Sequence, residues 1–127
     1  MINLTDYNFK YEPYPYVILK NIFNHEFYKK IITEFPDTVD EGNEISELEN
    51  VGTTILSTDN IKYKYNFQNI TVPQDQTKKI DYVDFLPNQM MLFVKTHNSL
   101  HSVGPIIAKE KKDLFRKSIN ICIVKQF

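Results

Sequence analysis

The side chains best suited to chemistry in this chain are three histidines, His25, His97 and His101, and a single cysteine, Cys122. Imidazole nitrogens bind transition metals and exchange protons near neutral pH. His97 and His101 stand four residues apart, which on a helix would set both rings on one face as paired metal ligands. An apolar run, Met90-Met91-Leu92-Phe93-Val94, precedes them and Gly104-Pro105 follows, so the sequence predicts a loop over 96–105 instead of a helix. No His-Glu-x-x-His sequence is present. His25 falls in the first turn of a predicted helix, where a surface position is expected. One cysteine excludes an intramolecular disulfide framework and a Cys-based zinc site, and it fits a reducing compartment.

Carboxylates crowd the stretch 37–50, with Asp37, Asp40, Glu41, Glu44, Glu47 and Glu49 and no Lys or Arg. A calcium loop needs Asp or Asn at tight alternating spacing and a bidentate Glu, and that pattern is absent. The stretch therefore reads as a solvated acidic loop or weak helix.

The elements that must hold these groups are legible from periodicity. Pro13 and Pro15 impose an extended approach to Tyr16-Val17-Ile18-Leu19, which has strand composition. Asn24 is placed to cap a helix whose apolar residues Phe23, Phe27, Ile31 and Phe35 recur every four positions, and Pro36 stops it. That stripe predicts a helix packed on a sheet. Gly52 to Ser57 reads as a strand and Thr58-Asp59-Asn60 as a turn. Ile61, Tyr63, Tyr65 and Phe67 alternate with polar residues, as in a half-buried strand. Residues 79–85 form another, with Asp81, Val83 and Phe85 on one face and Ile80, Tyr82 and Asp84 on the other. Pro87-Asn88 is a turn. The run from Met90 to Val94 predicts a strand buried on both faces. Lys109 to Lys112 is expected to be surface loop. A last strand, Ser118 to Val124, sets Ile119, Ile121 and Ile123 against Asn120 and Cys122. One N-terminal helix followed by short antiparallel strands predicts a mainly β sandwich, barrel or jelly roll over a single domain, 1–127.

Composition narrows the function classes. The 127 residues carry fifteen Lys plus Arg and sixteen Asp plus Glu, a net charge of −1 that argues against a generic nucleic-acid binder. No apolar run reaches membrane-spanning length. Met1 to Asp6 lacks a secretory pattern, so a cytoplasmic location is expected, and the Asn-x-Thr triplets at Asn3 and Asn69 carry no weight as glycosylation sites. Three glycines are few for a protein with many tight turns.

A longer pattern runs through the second half. Pro87-Asn88 precedes an apolar strand ending in Phe93. Asn98-Ser99-Leu100-His101, Val103-Gly104-Pro105 and Arg116-Lys117-Ser118 follow in order. This series resembles the C-terminal half of the iron(II)/2-oxoglutarate-dependent oxygenases of prolyl-4-hydroxylase-like type. The opening from Pro13 to Phe35-Pro36 and the Gly52-Thr53-Thr54 strand resemble the same family. The resemblance implies a double-stranded β-helix (jelly roll), with iron(II) and 2-oxoglutarate as cofactors. It implies that His101 is a metal ligand and that Arg116 pairs with the far carboxylate of 2-oxoglutarate. A planar guanidinium suits that task. Ser118, two residues on, shares a strand face with Arg116 and adds a hydroxyl donor.

The chain departs from that family at one point. A facial triad needs two histidines and a carboxylate, and the family supplies two of the three as His-x-Asp or His-x-Glu on one strand. Here His25 is followed by Glu26-Phe27, His97 by Asn98-Ser99 and His101 by Ser102-Val103. The block holding that strand is missing between the helix and Gly52, and the acidic stretch spans the interval. A substitute triad requires His97 and His101 to converge with Asp81, Asp84 or Glu44. Without it, His101 is a polar turn residue and Arg116 a surface or salt-bridging one.

Three readings follow: an oxygenase that is inactive or completed by another chain, a non-catalytic jelly-roll binding module, or a piece of a split coding sequence. The substrate is not legible. Loss of a strand predicts an exposed edge beside residues 52–56, or coverage of that edge by the acidic loop, a second copy or a complementing chain.

Overall fold

The computed structural model describes residues 7–34, 48–109 and 118–124. The acidic stretch up to Glu47, the helix stop at Phe35-Pro36, residues 110–112 of the expected surface loop, and Arg116 lie outside them.

Among the described residues the chain is mainly β, and every strand pair is antiparallel. The strands are β1 (Phe9–Lys10), β2 (Tyr16–Lys20), β3 (Leu48–Glu49), β4 (Thr53–Ser57), β5 (Lys78–Val83), β6 (Gln89–Phe93), β7 (His101–Ser102) and β8 (Ile107–Ala108). Helix α1 spans His25–Glu34, and a single helical turn, α2, spans Ile61–Lys64. One sheet has the order β1-β2-β6, a second β5-β4-β7, and β3 pairs with β8 in a short ribbon.

Alternation along β2 explains how two layers form. Tyr16 and Ile18 face the second sheet, where they join Tyr14, Ile55, Val83, Met91 and Phe93 in one cluster. Val17 and Leu19 point the other way, into a cluster with Ile22, Phe23 and Met90. The residues leading into α1 thus cover the outer face of the first sheet. Asn24 caps the helix as its sequence predicts, its Oδ1 accepting from the Phe27 amide at 2.8 Å. Beyond Phe23 the predicted stripe is only half-covered, for no described residue of α1 is buried.

The register sets two rows of side chains against each other. Cross-strand partners share a face. In the first sheet Lys10 pairs with Tyr16 and Tyr16 with Phe93. In the second, Asp81 pairs with Ile55 and Ile55 with His101. Across the interface Lys10 forms an ion pair with Asp81, Tyr16 packs in the Ile55 cluster, and the Phe93 ring lies 4.8 Å from the His101 ring. A β-bulge between Ile55 and Leu56 leaves Ile80 without a partner on β4, and its side chain is exposed.

Asparagine takes the turns that glycine usually takes. Asn21, Asn50, Asn69 and Asn88 all have φ between 51° and 59°, the left-handed region that Asn tolerates better than other non-glycine residues. Asn88 does more. Its Oδ1 accepts from the Phe23 amide at 3.0 Å and its Nδ2 donates to the Phe23 carbonyl at 2.8 Å. The β5–β6 turn is thereby fastened to the start of α1. Gly52 is required for a different reason: a Cβ there would stand 2.4 Å from the Val83 carbonyl oxygen.

Four sequence expectations are corrected. Residues 61–67 are not a strand. The Asn60 side chain accepts from the Lys62 amide and caps the helical turn α2, so local capping overrides the alternation. The 90–94 run is not buried on both faces. Its β6 is an edge strand, and Leu92 remains 44 % exposed. Residues 118–124 belong to no strand and are all exposed. The exposed edge expected beside residues 52–56 is absent as well, because β4 lies between β5 and β7. Among the described residues the sheet edges are β1 and β6 in the first sheet and β5 and β7 in the second.

Ile55, with no exposed surface, should be the costliest apolar position to truncate. Ile55→Ala is expected to lose about 2–5 kcal/mol in urea unfolding, whereas Ile80→Ala on the bulge should stay within about 0.5 kcal/mol. At Asn88, Gly keeps the backbone angle and loses both side-chain bonds, at about 1–3 kcal/mol. Ala adds a left-handed backbone penalty of about 1–2 kcal/mol, so stability should fall in the order Asn, Gly, Ala.

Candidate functional site

The turn that carries the histidines is held by hydrogen bonds at both ends. Ser99 Oγ donates to the Thr96 carbonyl at 2.9 Å and accepts from the Thr96 amide at 3.1 Å. Asn98 Nδ2 donates to the Pro13 carbonyl at 3.3 Å. The Tyr14 hydroxyl donates to the Leu100 carbonyl at 2.9 Å. Burial, with the nearby Tyr16 phenol, pushes the Tyr14 hydroxyl up to about 12, so it stays a donor. The Pro-rich approach to β2 therefore fixes where β7 begins.

His101 opens β7 on the face shared with Ile55. Its Nδ1 lies 3.0 Å from the Ser99 carbonyl oxygen, and its ring leans on Phe93. The imidazole is oriented, and its surface is exposed. His97 is engaged elsewhere, between the rings of Tyr65 and Phe67 at 5.3 and 5.1 Å. The two histidines do not converge. Ser118 is exposed and outside any strand, and Arg116 lies outside the described residues. Glu44 does too. Asp84 is on β5's continuation, beside a large cleft.

Asp81 shares the inner face with His101, as its alternation with Val83 predicts, but Ile55 stands between them. Two strand spacings separate the flanking positions by about 10 Å. Both Asp81 oxygens are also committed. Oδ2 accepts from the Tyr16 hydroxyl at 2.5 Å and from the Lys10 ammonium, and Oδ1 accepts from the Tyr82 amide at 2.8 Å. Burial alone would raise this carboxyl. The bonds from Lys10, Tyr16 and the Tyr82 amide outweigh burial and hold it below the ordinary carboxylate range. Lys10 is raised in turn, chiefly by its bond to Asp81. The Tyr16 hydroxyl is raised by burial and by the same carboxylate.

This Lys10–Asp81–Tyr16 group was not singled out by sequence. The available signal was a carboxylate on the apolar face of an alternating strand. Its partners lie 71 and 65 residues away. Lys10 and Asp81 line the same cleft, about 630 Å³ in volume, which also touches Lys20, Tyr82, Asp84 and Leu86. Among the described residues, no three of His, Cys, Asp and Glu come together as a metal-binding group. No described helix is long and apolar enough to cross a membrane.

No protein-family model, curated protein or solved structure matches the chain.

Asp81 ties stability to acid pH. Its folded pKa lies below its unfolded one, so the contribution is complete above the ordinary carboxylate range and is lost as pH falls through the folded value. The urea midpoint of wild type should therefore drop on acidification more steeply than that of Asp81→Asn. Equal slopes would remove the ion pair from the account of acid unfolding.

Proposed function

We propose that this chain is an oxygenase-type jelly roll that lacks a working metal triad and acts as a binding module instead of a hydroxylase. Support for the scaffold comes from the two facing antiparallel sheets and from the succession of Pro-rich strand, capped helix, Phe93-ended strand and His101 strand. Within that reading His101 stands where the family's distal histidine would, without the partners needed to hold iron(II). Arg116 and Ser118 form the anion-binding half that would meet 2-oxoglutarate.

The observation that carries the non-catalytic reading is the position of Ile55. Two ligands bound to one ion at about 2.0–2.2 Å each must bring their donor atoms within about 4 Å of each other. Among the described residues the carboxylate on His101's face of the second sheet is Asp81, whose backbone is about 10 Å from that of His101 by strand spacing, with the fully buried Ile55 between. The Asp81 oxygens are turned to Lys10, Tyr16 and the Tyr82 amide. The carboxylate is already neutralised by Lys10. The described residues do not fit a complete iron(II) site, and no oxidative step is assigned to them.

Iron(II) titration with and without 2-oxoglutarate, followed by a succinate assay, tests this. Wild type should show weak iron uptake that His101→Ala barely changes, and no succinate. Tight uptake abolished by His101→Ala and Arg116→Ala, with succinate formed, would restore the catalytic reading.

A further inference from the structure

The cleft of about 630 Å³ runs between two sheet edges on one side of the sandwich. Tyr7, Asn8 and Lys10 border it from the β1 side, and Asp81, Tyr82 and Val83 from the β5 side. Both β1 and β5 end their sheets, and among the described residues nothing pairs with their outer edges. An unpaired edge offers a row of amides and carbonyls to any extended chain that reaches it. Of the charged residues lining the cleft, Lys10 and Asp81 pair with each other, while Lys20 and Asp84 stand at its far end. Ile18, Val83 and Leu86 add apolar wall.

The chain also holds the complement of such a groove. Residues 119–124, Ile-Asn-Ile-Cys-Ile-Val, are β-branched at alternate positions and carry no charge. They belong to no strand, and Ile119, Ile121 and Ile123 are 62 %, 74 % and 88 % exposed. An exposed apolar segment and an unfilled edge groove in one chain are mutually satisfying between two copies. We infer that residues 119–124 of a second copy add as a strand in the groove between β1 and β5, with Ile119, Ile121 and Ile123 turned to the apolar wall. Each copy gives its segment to the other, so the exchange closes on a two-fold axis and both grooves are filled. The exchange is independent of the reading of His101.

Light scattering on the full chain should give twice the 15.0 kDa of one copy. Ile121→Asp alters only the exposed segment and should return the particle to one copy. Leu86→Arg, on the groove wall, should do the same. Cys122→Ser, on the opposite face of the strand, should leave the dimer intact. Amide exchange should be slow over 119–124 in the dimer and fast in Ile121→Asp. A one-copy particle at every concentration overturns the exchange, and so does a dimer that survives Ile121→Asp or Leu86→Arg. Slow exchange over 119–124 in a one-copy particle overturns it too, because the strand then docks on its own chain.

Discussion

The sandwich depends on two facing rows: Lys10, Tyr16 and Phe93 on one sheet, Asp81, Ile55 and His101 on the other. The middle of the contact is apolar, with Tyr16 and Ile55 both buried. One end is closed by a cation on a carboxylate, the other by a phenyl ring on an imidazole. The order matters energetically. Burying an apolar side chain the size of Ile contributes about 1.5–3 kcal/mol, while a half-exposed ion pair adds about 1 kcal/mol or less. The rows are held from the centre, and the polar ends fix their alignment. Tyr16 links the two kinds of contact, since its ring sits in the core and its hydroxyl reaches Asp81.

Alignment of the rows is set by turns, and here the turns are built from asparagine. A left-handed residue with a side-chain amide can reverse the chain and still bond to a second element. Asn88 does both, reversing the chain between β5 and β6 while gripping Phe23. Glycine would supply the backbone angle alone. The same economy appears at Asn60, which caps α2 and reaches Gln76. A chain with three glycines thus forms tight turns without giving up the fastening between them.

What could be read along the chain was whatever local chemistry decides. The Tyr16 strand, its two faces and the Asn24 cap are products of neighbouring residues, and they are found where the periodicity puts them. Residues 61–67 show two local signals in competition, and the cap at Asn60 prevails over alternation. The burial of 90–94 and the pairing of 118–124 depend on which strands lie alongside, which no local pattern encodes. For the site the divide is sharper. Asp81 could be placed on the apolar face of its strand, but Ile55 became its neighbour only through the β4–β5 register, bulge included. The spacing of His97 and His101 likewise said nothing of the Tyr65 and Phe67 rings that hold the first of them.

The same register would set stability against metal binding on this face. A second ligand next to His101 on the inner face would have to replace Ile55, the side chain on which both rows close. A polar or charged group at that position would be buried beside Tyr16 without a partner, and such burial is penalised more heavily than a vacancy of the same size. The centre of this sandwich is therefore committed to holding the sheets together. Unsatisfied backbone and apolar surface collect instead at its margins, along β1 and β5 and over residues 119–124. A fold arranged this way keeps its surface for recognition at its edges, where residues can change without loosening the core.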